Sequence, residues 1–364
     1  MKVKMLDPRR EYSLYRKDYI DAVNRIFDEG SFILGRHVED FEKNLAGYIG
    51  ADYAVGVANG TDALLIAMLA AGIKEGDEVI TTPFTFFATA ETIVQAKAKP
   101  VFADIEEDSF NIRVDEIEKA ITNKTKAILP VHLYGNPADM EAICGIAEKH
   151  NLIVIEDCAQ SIGSEYRGKK TGTFGNAGTI SFFPTKNLGA AGDGGAIVTN
   201  SEEIAKIATS LRQHGSEKKY IHSRIGFNSR LDSLHAAILS VKLQNLEKKN
   251  ARRIFLAERY SKMLTEKVRK PIQRKNSVHV FHQYTIISEK RDALFEHLKK
   301  NEIDSVIYYP RPLHLQEALR PFIDFKSMPV AENLSQRVLS LPIYPELTEE
   351  EQEFVIKKIN EFYA

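Results

Sequence analysis

Apolar residues follow two different patterns along the chain, and the change occurs near residue 200. Between about residues 38 and 200, short apolar runs alternate with helix-like segments, which predicts parallel strands connected by helices. Because the runs are almost continuously apolar, we expect both faces of the sheet to be covered. The predicted strands are residues 53–58, 78–82, 99–103, 126–131, 152–156, 179–183 and 196–199, and the clearest helices are 62–71, 85–96 and 138–150.

The segment after residue 200 has longer helical patterns and fewer apolar runs. Residues 231–264 predict one long helix whose charged second half links a large domain to a smaller one. Beyond it we predict a strand at 278–287, a helix at 291–300 and a final helix from Thr348. The predicted architecture is α/β: a large domain, residues 1–245, with a mostly parallel sheet between helices, and a smaller α+β domain, residues 246–364.

Composition and charge exclude several classes of protein. The 49 Lys and Arg residues balance 50 Asp and Glu, so the chain lacks the basic excess with which nucleic-acid binders neutralise phosphates. The longest apolar stretch, residues 63–71, is far shorter than the ~20 residues that span a bilayer. The first residues show no apolar segment typical of a signal peptide, and two cysteines cannot form a disulfide framework. We therefore expect a cytoplasmic enzyme that neither binds nucleic acid nor inserts into a membrane.

A candidate anion site follows the first predicted strand, where Gly60 and Thr61 open a helix. Backbone N–H groups at a helix N-terminus, together with the helix dipole, favour a phosphate. A capped strand-to-helix turn without any ligand explains the same residues and is, on its own, the simpler interpretation. No GxGxxG fingerprint and no GxxxxGK[ST] loop occurs in the chain, which argues against nicotinamide and P-loop nucleotide chemistry.

Two charged residues stand next to predicted buried strands. Asp157 ends a strongly apolar run, at the edge where ligands bind open α/β sheets, although a solvated carboxylate capping the next turn is an equally good interpretation. Lys186 lies between apolar runs and is followed by a glycine-rich turn. A desolvated lysine has a lowered pKa, and its neutral amine can attack a carbonyl to form a Schiff base. With the anion site, these residues match what pyridoxal phosphate needs: a lysine, a carboxylate and a phosphate cradle.

Seven motifs, taken in order, resemble the DegT/StrS-type sugar aminotransferases, which are pyridoxal-phosphate enzymes with the aspartate-aminotransferase fold (fold type I). The resemblance extends from about Phe32 to Tyr344 and implies this fold for the large domain. It also implies pyridoxal 5'-phosphate as cofactor, with its amine form, PMP, during the reaction. The motifs are GRHVEDFEKNLAGYIGADYAVGVANGTDAL, GDEVITTPFTFFATAE, PVHLYGNPADM, VIEDCAQSIG, SFFPTKNLGAAGDGGAIVTN, GFNSRLDSLHAAIL and YYPRPLHLQ.

The resemblance further implies roles for individual residues. Lys186 would be the Schiff-base lysine and the acid/base of proton transfer, and Asp157 would pair with the pyridinium nitrogen. The other cofactor-binding residues would be Gln160 near the ring hydroxyl, Phe86 on the ring face, Gly60, Thr61 and Ser181 at the phosphate, and Asn228 from the partner subunit. This last contact implies a homodimer with shared active sites.

The same resemblance implies a reaction in two halves. L-glutamate would donate its amino group, and a nucleotide-linked keto-sugar would accept it, for amino-sugar and polysaccharide biosynthesis. The segment around Arg230 is similar to the branch that aminates UDP-linked 2-acetamido-3-oxo sugars, including the 3-oxo-glucuronate. The side chains expected near the substrate are Arg230, His222, Tyr308, Tyr309 and His314, with surface or packing roles as the alternative.

Several alternatives remain open from the sequence alone. An alternative substrate is a dTDP-3-keto-6-deoxyhexose or a 4-keto-sugar. A pyridoxal-phosphate-dependent sugar dehydratase on this scaffold would carry histidine in place of Lys186, and a regulatory or binding protein that kept the fold would not need that lysine. His279 and His282 are three positions apart in a predicted strand and would face opposite sides, so we expect no metal site there.

Overall fold

The computed structural model describes residues 1–364 and contains twelve α-helices and fourteen strands. The helices are α1 (Pro8–Glu29), α2 (Arg36–Ile49), α3 (Gly60–Ala70), α4 (Ala88–Gln95), α5 (Val114–Ala120), α6 (Met140–His150), α7 (Glu202–Leu211), α8 (Ser233–Leu243), α9 (Leu246–Met263), α10 (Arg291–Lys300), α11 (Pro329–Ser335) and α12 (Glu349–Tyr363). The strands are β1 (Tyr53–Val57), β2 (Glu78–Thr81), β3 (Lys99–Phe102), β4 (Thr125–Leu129), β5 (Ile153–Asp157), β6 (Glu165–Tyr166), β7 (Lys169–Lys170), β8 (Ala177–Ser181), β9 (Gly195–Thr199), β10 (Ser216–Lys218), β11 (Ile221–His222), β12 (Ser277–Val278), β13 (Tyr284–Ile287) and β14 (Val338–Leu341). Short 3₁₀ helices cover Leu133–Gly135, Leu313–Leu315 and Glu317–Phe322.

Seven of the strands form one central sheet in the order β1-β9-β8-β5-β4-β2-β3. The pairs β2/β3, β2/β4, β4/β5 and β5/β8 are parallel, whereas β9 is antiparallel to both of its neighbours. The connection from β8 to β9 lacks the α-helix by which parallel strands are usually joined, and β9 returns antiparallel. The prediction of a largely parallel α/β sheet is confirmed, and all seven predicted strands are present within two residues of their predicted ends.

Helices cover both faces of this sheet and bury its apolar side chains. Helix α3 is apolar around almost its whole circumference, as expected for a helix enclosed between the sheet, α4 and α7. On the opposite face, Phe41 and Leu45 of α2 pack in one apolar cluster with Phe182 and with Leu239 of α8. The central strands are therefore buried on both sides, which explains why their sequences are apolar without alternation.

The single long helix predicted for residues 231–264 is wrong, because the structure has two helices, α8 and α9, separated by Gln244 and Asn245. The Asn245 side chain donates a hydrogen bond to the Val241 carbonyl (3.2 Å), and its backbone leaves helical geometry (φ −107°, ψ 1°). A short amide side chain that binds a nearby backbone carbonyl competes in this way with helix continuation. The apolar periodicity on either side of the break is too similar to reveal it.

The strand predicted for residues 278–287 is also interrupted, since only its two ends, β12 and β13, form ladders. His279 Nδ1 accepts a hydrogen bond from the Phe281 N–H (3.0 Å), and Phe281 has a positive φ of 45°. This local contact occupies the Phe281 N–H, which in a continuous strand would donate to a neighbouring strand. The stacking of the two rings, with centroids 3.8 Å apart, supports the same irregular conformation.

The C-terminal part of the chain has its own apolar core around α9, α10, α12 and the antiparallel pair β13/β14. The predicted final helix is confirmed: Thr348 and Glu351 form a capping box, with side chain to backbone distances of 3.1 and 3.0 Å. Val3 packs in this core, whereas residues such as Leu313 and Leu334 pack in the core of the large sheet. The domain division at residue 245 stays a prediction. No helix of the chain has both the length and the apolar character needed to cross a bilayer.

Candidate active site

Three segments that carry predicted site residues meet at one edge of the central sheet. Strand β5 ends at Asp157 and β8 ends at Ser181, and these two strands are parallel neighbours. Strand β1 has the same direction as β8, because each is antiparallel to β9, so it brings Gly60 to the same edge. Ligands bind α/β sheets at the carboxyl ends of their strands, where loops and helix N-termini converge.

Asp157 is a buried carboxylate with only 4% of its surface exposed. Its Oδ2 accepts a hydrogen bond from Thr89 Oγ1 (2.9 Å), and its Oδ1 accepts one from the Ala159 N–H (3.1 Å). Burial raises the pKa of Asp157 above its usual value, and the two hydrogen bonds and nearby positive charge oppose this rise without cancelling it. A cation placed against this carboxylate would therefore favour its ionised form.

Lys186 follows β8 on a turn that its own N–H closes by donating to the Phe183 carbonyl (2.9 Å). The residue is half-buried, and its amino group has no hydrogen-bond partner in the chain. Desolvation lowers the pKa of this amine to about 8, although attraction to Asp157 favours the charged form. The site thus contains a lysine that becomes neutral at a much lower pH than a solvated one.

The N-terminus of α3 forms a concave backbone surface against β8 and β9. Asn59 caps the helix by accepting a backbone N–H (2.8 Å), and the N–H groups of Gly60 and Thr61 have no acceptor within the helix. A Cβ at Gly60 would lie 2.6 Å from the Ser181 Cβ, and one at Gly195 would lie 2.4 Å from the Asn59 carbonyl. Only glycines allow this approach, which leaves N–H groups and a hydroxyl in a suitable arrangement for an anion.

Gln160 joins the site to the C-terminal part of the chain. Its Oε1 accepts from the Tyr134 N–H (2.7 Å), and its Nε2 donates to the Tyr309 hydroxyl (3.1 Å). The Tyr134 hydroxyl donates to the carbonyl of Tyr308. Burial raises the pKa of Tyr309 well above its ordinary value, so its phenol remains protonated. The structure therefore brings the predicted residues Gln160, Tyr308 and Tyr309 together.

Three other predicted residues lie at the surface of the chain. Phe86, just before α4, is 60% exposed. Asn228 is exposed next to Ser229, whose Oγ accepts from the Ala58 N–H (3.1 Å) and so holds this loop beside the end of β1. His222 is exposed on β11, where its Nδ1 donates to a backbone carbonyl (2.9 Å). These side chains are accessible to a ligand or to a second subunit.

The remaining predicted residues, Arg230 and His314, differ in their surroundings. Arg230 is half-buried and forms no ion pair within the chain. His314 is buried, its Nε2 is 3.0 Å from Glu332 Oε1, and its ring packs against that of Phe102. Its Nδ1 has no hydrogen-bond partner. One ring nitrogen of His314 is thus engaged within the protein, and the other is not.

The sequence patterns do not predict two residues of this site, Thr89 and Tyr134. Thr89 holds Asp157, and its Oγ1 is 3.3 Å from that of Thr85. The only sequence signal is that these two threonines are four positions apart, which does not show which strand end they face. Tyr134 contacts Gln160 through its backbone N–H, and such a contact leaves no side-chain signal.

These residues fit pyridoxal phosphate. A lysine with a lowered pKa suits its aldehyde, an incompletely compensated buried carboxylate suits its protonated ring nitrogen, and the glycine-shaped cradle suits its phosphate. When bound, the cofactor supplies an electron sink for the carbon that loses a proton. The fold and the site together define a pyridoxal-phosphate enzyme of fold type I.

Comparison with known proteins gives the family. The model of the DegT/DnrJ/EryC1/StrS aminotransferase family matches residues 14–360. The chain is 49% identical to the pleiotropic regulatory protein of Geobacillus stearothermophilus, over 100% of this chain and 99% of that protein. It is 45% identical to the UDP-N-acetyl-3-dehydro-alpha-D-glucosamine 3-aminotransferase of Acidithiobacillus ferrooxidans (96% of this chain, 95% of that protein). It is 43% identical to the UDP-2-acetamido-2-deoxy-3-oxo-D-glucuronate aminotransferase of Pseudomonas aeruginosa (91% and 92%).

Solved structures agree with this assignment. A DegT/DnrJ/EryC1/StrS aminotransferase from Brucella abortus superposes with a TM-score of 0.97 and 40% identity over the whole of both chains. NtdA from Bacillus subtilis, solved with bound PMP, gives a TM-score of 0.93 and 34% identity over 99% of this chain and 85% of that one. The chain belongs to the DegT/DnrJ/EryC1/StrS aminotransferase family and is a pyridoxal-phosphate-dependent transaminase. The predicted fold type, cofactor and enzyme class are confirmed.

We predict that an acylating reagent modifies Lys186 of the apo-protein at a lower pH than it modifies exposed lysines. The neutral amine is the reactive form, so acylation should reach half of its maximal rate at about pH 8, the pKa to which burial lowers this group. Short acylation pulses at a series of pH values, followed by peptide mass mapping, measure this midpoint. Lys206 is the control, because its hydrogen bond with Glu202 raises its pKa. Equal midpoints for the two lysines would contradict the desolvation of Lys186.

We also predict that Gly195→Ala weakens cofactor binding, because the new Cβ must displace the Asn59 backbone and distort the anion cradle. Such overpacking costs roughly 1–3 kcal/mol, or about fivefold to 150-fold in affinity. Titration of apo-protein with pyridoxal phosphate, followed by visible absorbance, measures the change. Gly145→Ala in α6 is the matched control, since a Cβ there has no neighbour within 4 Å. If both variants bound the cofactor equally well, the cradle would not depend on this glycine.

Proposed function

We propose that this chain transfers an amino group from L-glutamate to the keto group of a UDP-linked 2-acetamido-3-oxo sugar, either the 3-oxo-glucuronate or the 3-oxo-GlcNAc derivative. The observation that carries the proposal is the presence of half-buried Lys186, with its lowered pKa, and buried Asp157 at the carboxyl edge of the sheet. The sugar is suggested by the names of the relatives at 45% and 43% identity. The product would be an amino sugar used in polysaccharide biosynthesis.

Lys186 is the residue that moves protons in this proposal. Its neutral amine would hold the cofactor through the aldehyde. The same Nζ would accept the proton that the substrate carbon loses and would return one when the amino group is transferred. A positioned acid/base of this kind contributes ~10²–10⁴-fold to the rate. The lowered pKa makes both protonation states of Lys186 accessible near neutral pH.

The other predicted cofactor residues bind and orient. Asp157 holds the ring nitrogen in its protonated form, and Thr89 fixes the direction of the carboxylate. Gly60, Thr61 and Ser181 hold the phosphate at the N-terminus of α3. Gln160 would lie near the ring hydroxyl, and Phe86 would cover one ring face. The 60% exposure of Phe86 in the isolated chain supports this role, because the chain leaves most of this large apolar side chain uncovered.

The substrate would contact residues from two regions. Arg230 supports an anionic substrate, because a half-buried guanidinium without an internal ion pair can bind a diphosphate or a sugar carboxylate bidentately. His222 would assist from β11. Tyr308, Tyr309 and His314 would line the opposite side of the substrate site. The contact of Tyr309 with Gln160 supports this arrangement, since it connects the C-terminal segment with the cofactor residues.

We further propose a homodimer in which Asn228 reaches the phosphate of the partner subunit. Asn228 is exposed, although Ser229 beside it is completely buried and tied to β1. Large apolar side chains on α1 are also exposed, including Ile20 (41%) and Phe27 (62%), which lie two turns apart on one face of the helix. Grouped apolar exposure of this kind is typical of an interaction surface. In this proposal the working unit is two chains.

A regulatory protein without catalysis is the second candidate, because the relative at 49% identity is named a pleiotropic regulatory protein. A protein that only binds partners gains nothing from a desolvated lysine and a desolvated carboxylate, because both groups destabilise the folded state. Lys186 also argues against a sugar dehydratase, because the dehydratases that this scaffold resembles would carry histidine at this position. The catalytic proposal is therefore favoured over both alternatives.

The proposed function predicts that glutamate bleaches the yellow holoenzyme and that the correct keto-sugar restores its colour. The panel contains UDP-3-oxo-GlcNAc, the corresponding 3-oxo-glucuronate, a dTDP-3-keto-6-deoxyhexose and a 4-keto-sugar. Isotopically labelled glutamate and mass spectrometry identify which sugar receives the amino group. We expect transfer to a UDP-3-oxo sugar, and transfer only to a dTDP-sugar or a 4-keto-sugar would refute this substrate assignment.

Lys186→Ala should show neither the colour of lysine-bound cofactor nor transfer to any sugar, with a loss of at least ~10²-fold in rate. Lys206→Ala is the matched control, since it removes an exposed lysine from α7 and should leave the transfer rate unchanged. If Lys186→Ala transferred the amino group at the wild-type rate, the role given to this lysine would be wrong.

Mixing Lys186→Ala and Asn228→Ala subunits tests the shared site. Each variant alone should be strongly impaired, but a mixed dimer would contain one site with both native residues. Random exchange makes half of the dimers mixed, so about a quarter of the wild-type activity should return. Subunit exchange is confirmed by mass spectrometry of the native dimers. Complete exchange with no recovery of activity would exclude sites shared through Asn228.

A further inference from the structure

His282 is a buried histidine that none of the roles above uses. It is 5% exposed and lies between β12 and β13, where the predicted strand is interrupted. Its Nδ1 is 3.2 Å from the Oδ1 of Asn187, the residue that directly follows Lys186. The imidazole therefore contacts the turn that carries the lysine.

The hydrogen bonds of Asn187 determine the direction of this contact. Asn187 Nδ2 donates to Asn250 Oδ1 (2.9 Å) and to the Val280 carbonyl (3.3 Å), so its Oδ1 is the acceptor for His282. Asn250 Nδ2 donates in turn to the Ile162 carbonyl (3.0 Å). A consistent network requires that His282 Nδ1 carries the proton. The three side chains form one directional series of hydrogen bonds.

Close backbone contacts hold this series on both sides. A Cβ at Gly163 would be only 2.5 Å from Asn250 Nδ2, and a Cβ at Gly189 would be 2.5 Å from the Pro184 carbonyl. The backbone at Gly163 therefore lies too close to the Asn250 side chain to leave room for a Cβ. The turn from residue 184 to 189 is equally tight. Small displacements of the amide side chains cannot be absorbed by empty space.

The charged groups that face His282 are Lys186 and Arg253. Arg253 is buried and donates from one guanidinium nitrogen to the carbonyls of Phe281 (3.3 Å) and Ile343 (2.7 Å). Burial, and then these two positive charges, lower the pKa of His282 well below its ordinary value. The ring is therefore uncharged at neutral pH, where it serves as a hydrogen-bond donor and not as a counter-charge.

We propose that His282 is a positioning residue that fixes the direction of Lys186 by holding Asn187, an inference that rests on the role given to Lys186 in the proposed function. Three separate segments meet in the series: the β12–β13 connection, the lysine turn and α9. Removal of the His282 donor leaves the oxygen of the half-buried Asn187 side chain without its protein donor, so the amide and its turn rearrange. Displacement of a reacting group by about 1 Å costs on the order of 10²-fold in rate.

Two substitutions at position 282 separate this role from simple packing. In His282→Asn, the amide nitrogen takes the place of Nδ1 and can still donate to Asn187, whereas His282→Leu has a similar volume to histidine and no donor. We expect kcat with glutamate to fall about 10–100-fold in His282→Leu and to stay within about threefold of wild type in His282→Asn. KM for glutamate should change little in either variant, because the contact orients the lysine and does not bind the substrate.

A second measurement uses the apo-protein and needs no catalysis. If the lysine turn relaxes, the amine of Lys186 gains solvent, and the pH of half-maximal acylation should rise from about 8 by about one unit in His282→Leu. His282→Asn should keep the wild-type midpoint. Lys206 again gives the internal reference in the same digest. This measurement remains informative even if the keto-sugar assignment fails.

The double variant His282→Leu, Asn187→Ala tests whether the effect passes through Asn187. If it does, the double variant should lose no more activity than the more impaired single variant, because the second change removes a contact that is already lost. His297→Leu on α10 is the control for loss of a histidine hydrogen bond elsewhere, and it should keep the wild-type kcat. Thermal unfolding of each apo-variant shows whether the chain is folded.

Three results would overturn the proposal. The first is a folded His282→Leu variant with the wild-type kcat and the wild-type acylation midpoint. The second is a His282→Asn variant that is as impaired as His282→Leu. The third is a double variant in which the losses of kcat from the two single substitutions are fully additive. Failure of the proposed function is different, since it would appear as a wild-type enzyme that does not bleach with glutamate. In that case the acylation midpoints alone decide whether His282 positions Lys186.

Discussion

The removal of two opposite charges from water at one edge of the sheet is the constraint on which the rest of this structure depends. Burial raises the pKa of Asp157 and lowers that of Lys186, and their mutual attraction does not offset either shift. The surrounding chain has to hold both groups in this unfavourable state. The parallel register of β5 and β8, the hydrogen bond from Thr89 and the contacts of Asn187 provide that support.

Much of the fold and the centre of the site are predictable from the sequence, because both follow local rules. Central strands are buried on both faces, so they appear as apolar runs, and all seven were predictable on that basis. Asp157 ends one such run, and Gly60 and Lys186 follow two others within five residues. Since the strands that carry them have the same direction, prediction of the strands already brings these residues together at one edge.

The features that could not be predicted depend on contacts between distant segments. The break between α8 and α9 comes from a side chain binding its own helix, and the periodicity around it is unchanged. Thr89 acquires its role only from the position of β5, and His282 only from the lysine turn that packs against it. In the sequence, His282 is merely one of two histidines in an apolar stretch. In the folded chain, His282 donates a hydrogen bond to Asn187 and so stands at one end of the hydrogen-bond series.

The contact between Gly195 and Asn59 determines at what stage of folding the chain can bind its cofactor. The two residues lie at opposite ends of the α/β region in the sequence, and β1 has β9 as its only partner strand. Closure of so long a loop is entropically costly and is among the slower steps of folding. A nascent chain that has not yet synthesised β9 consequently lacks a complete phosphate cradle. Cofactor capture is therefore a late event, and it stabilises by mass action only chains whose sheet is already complete.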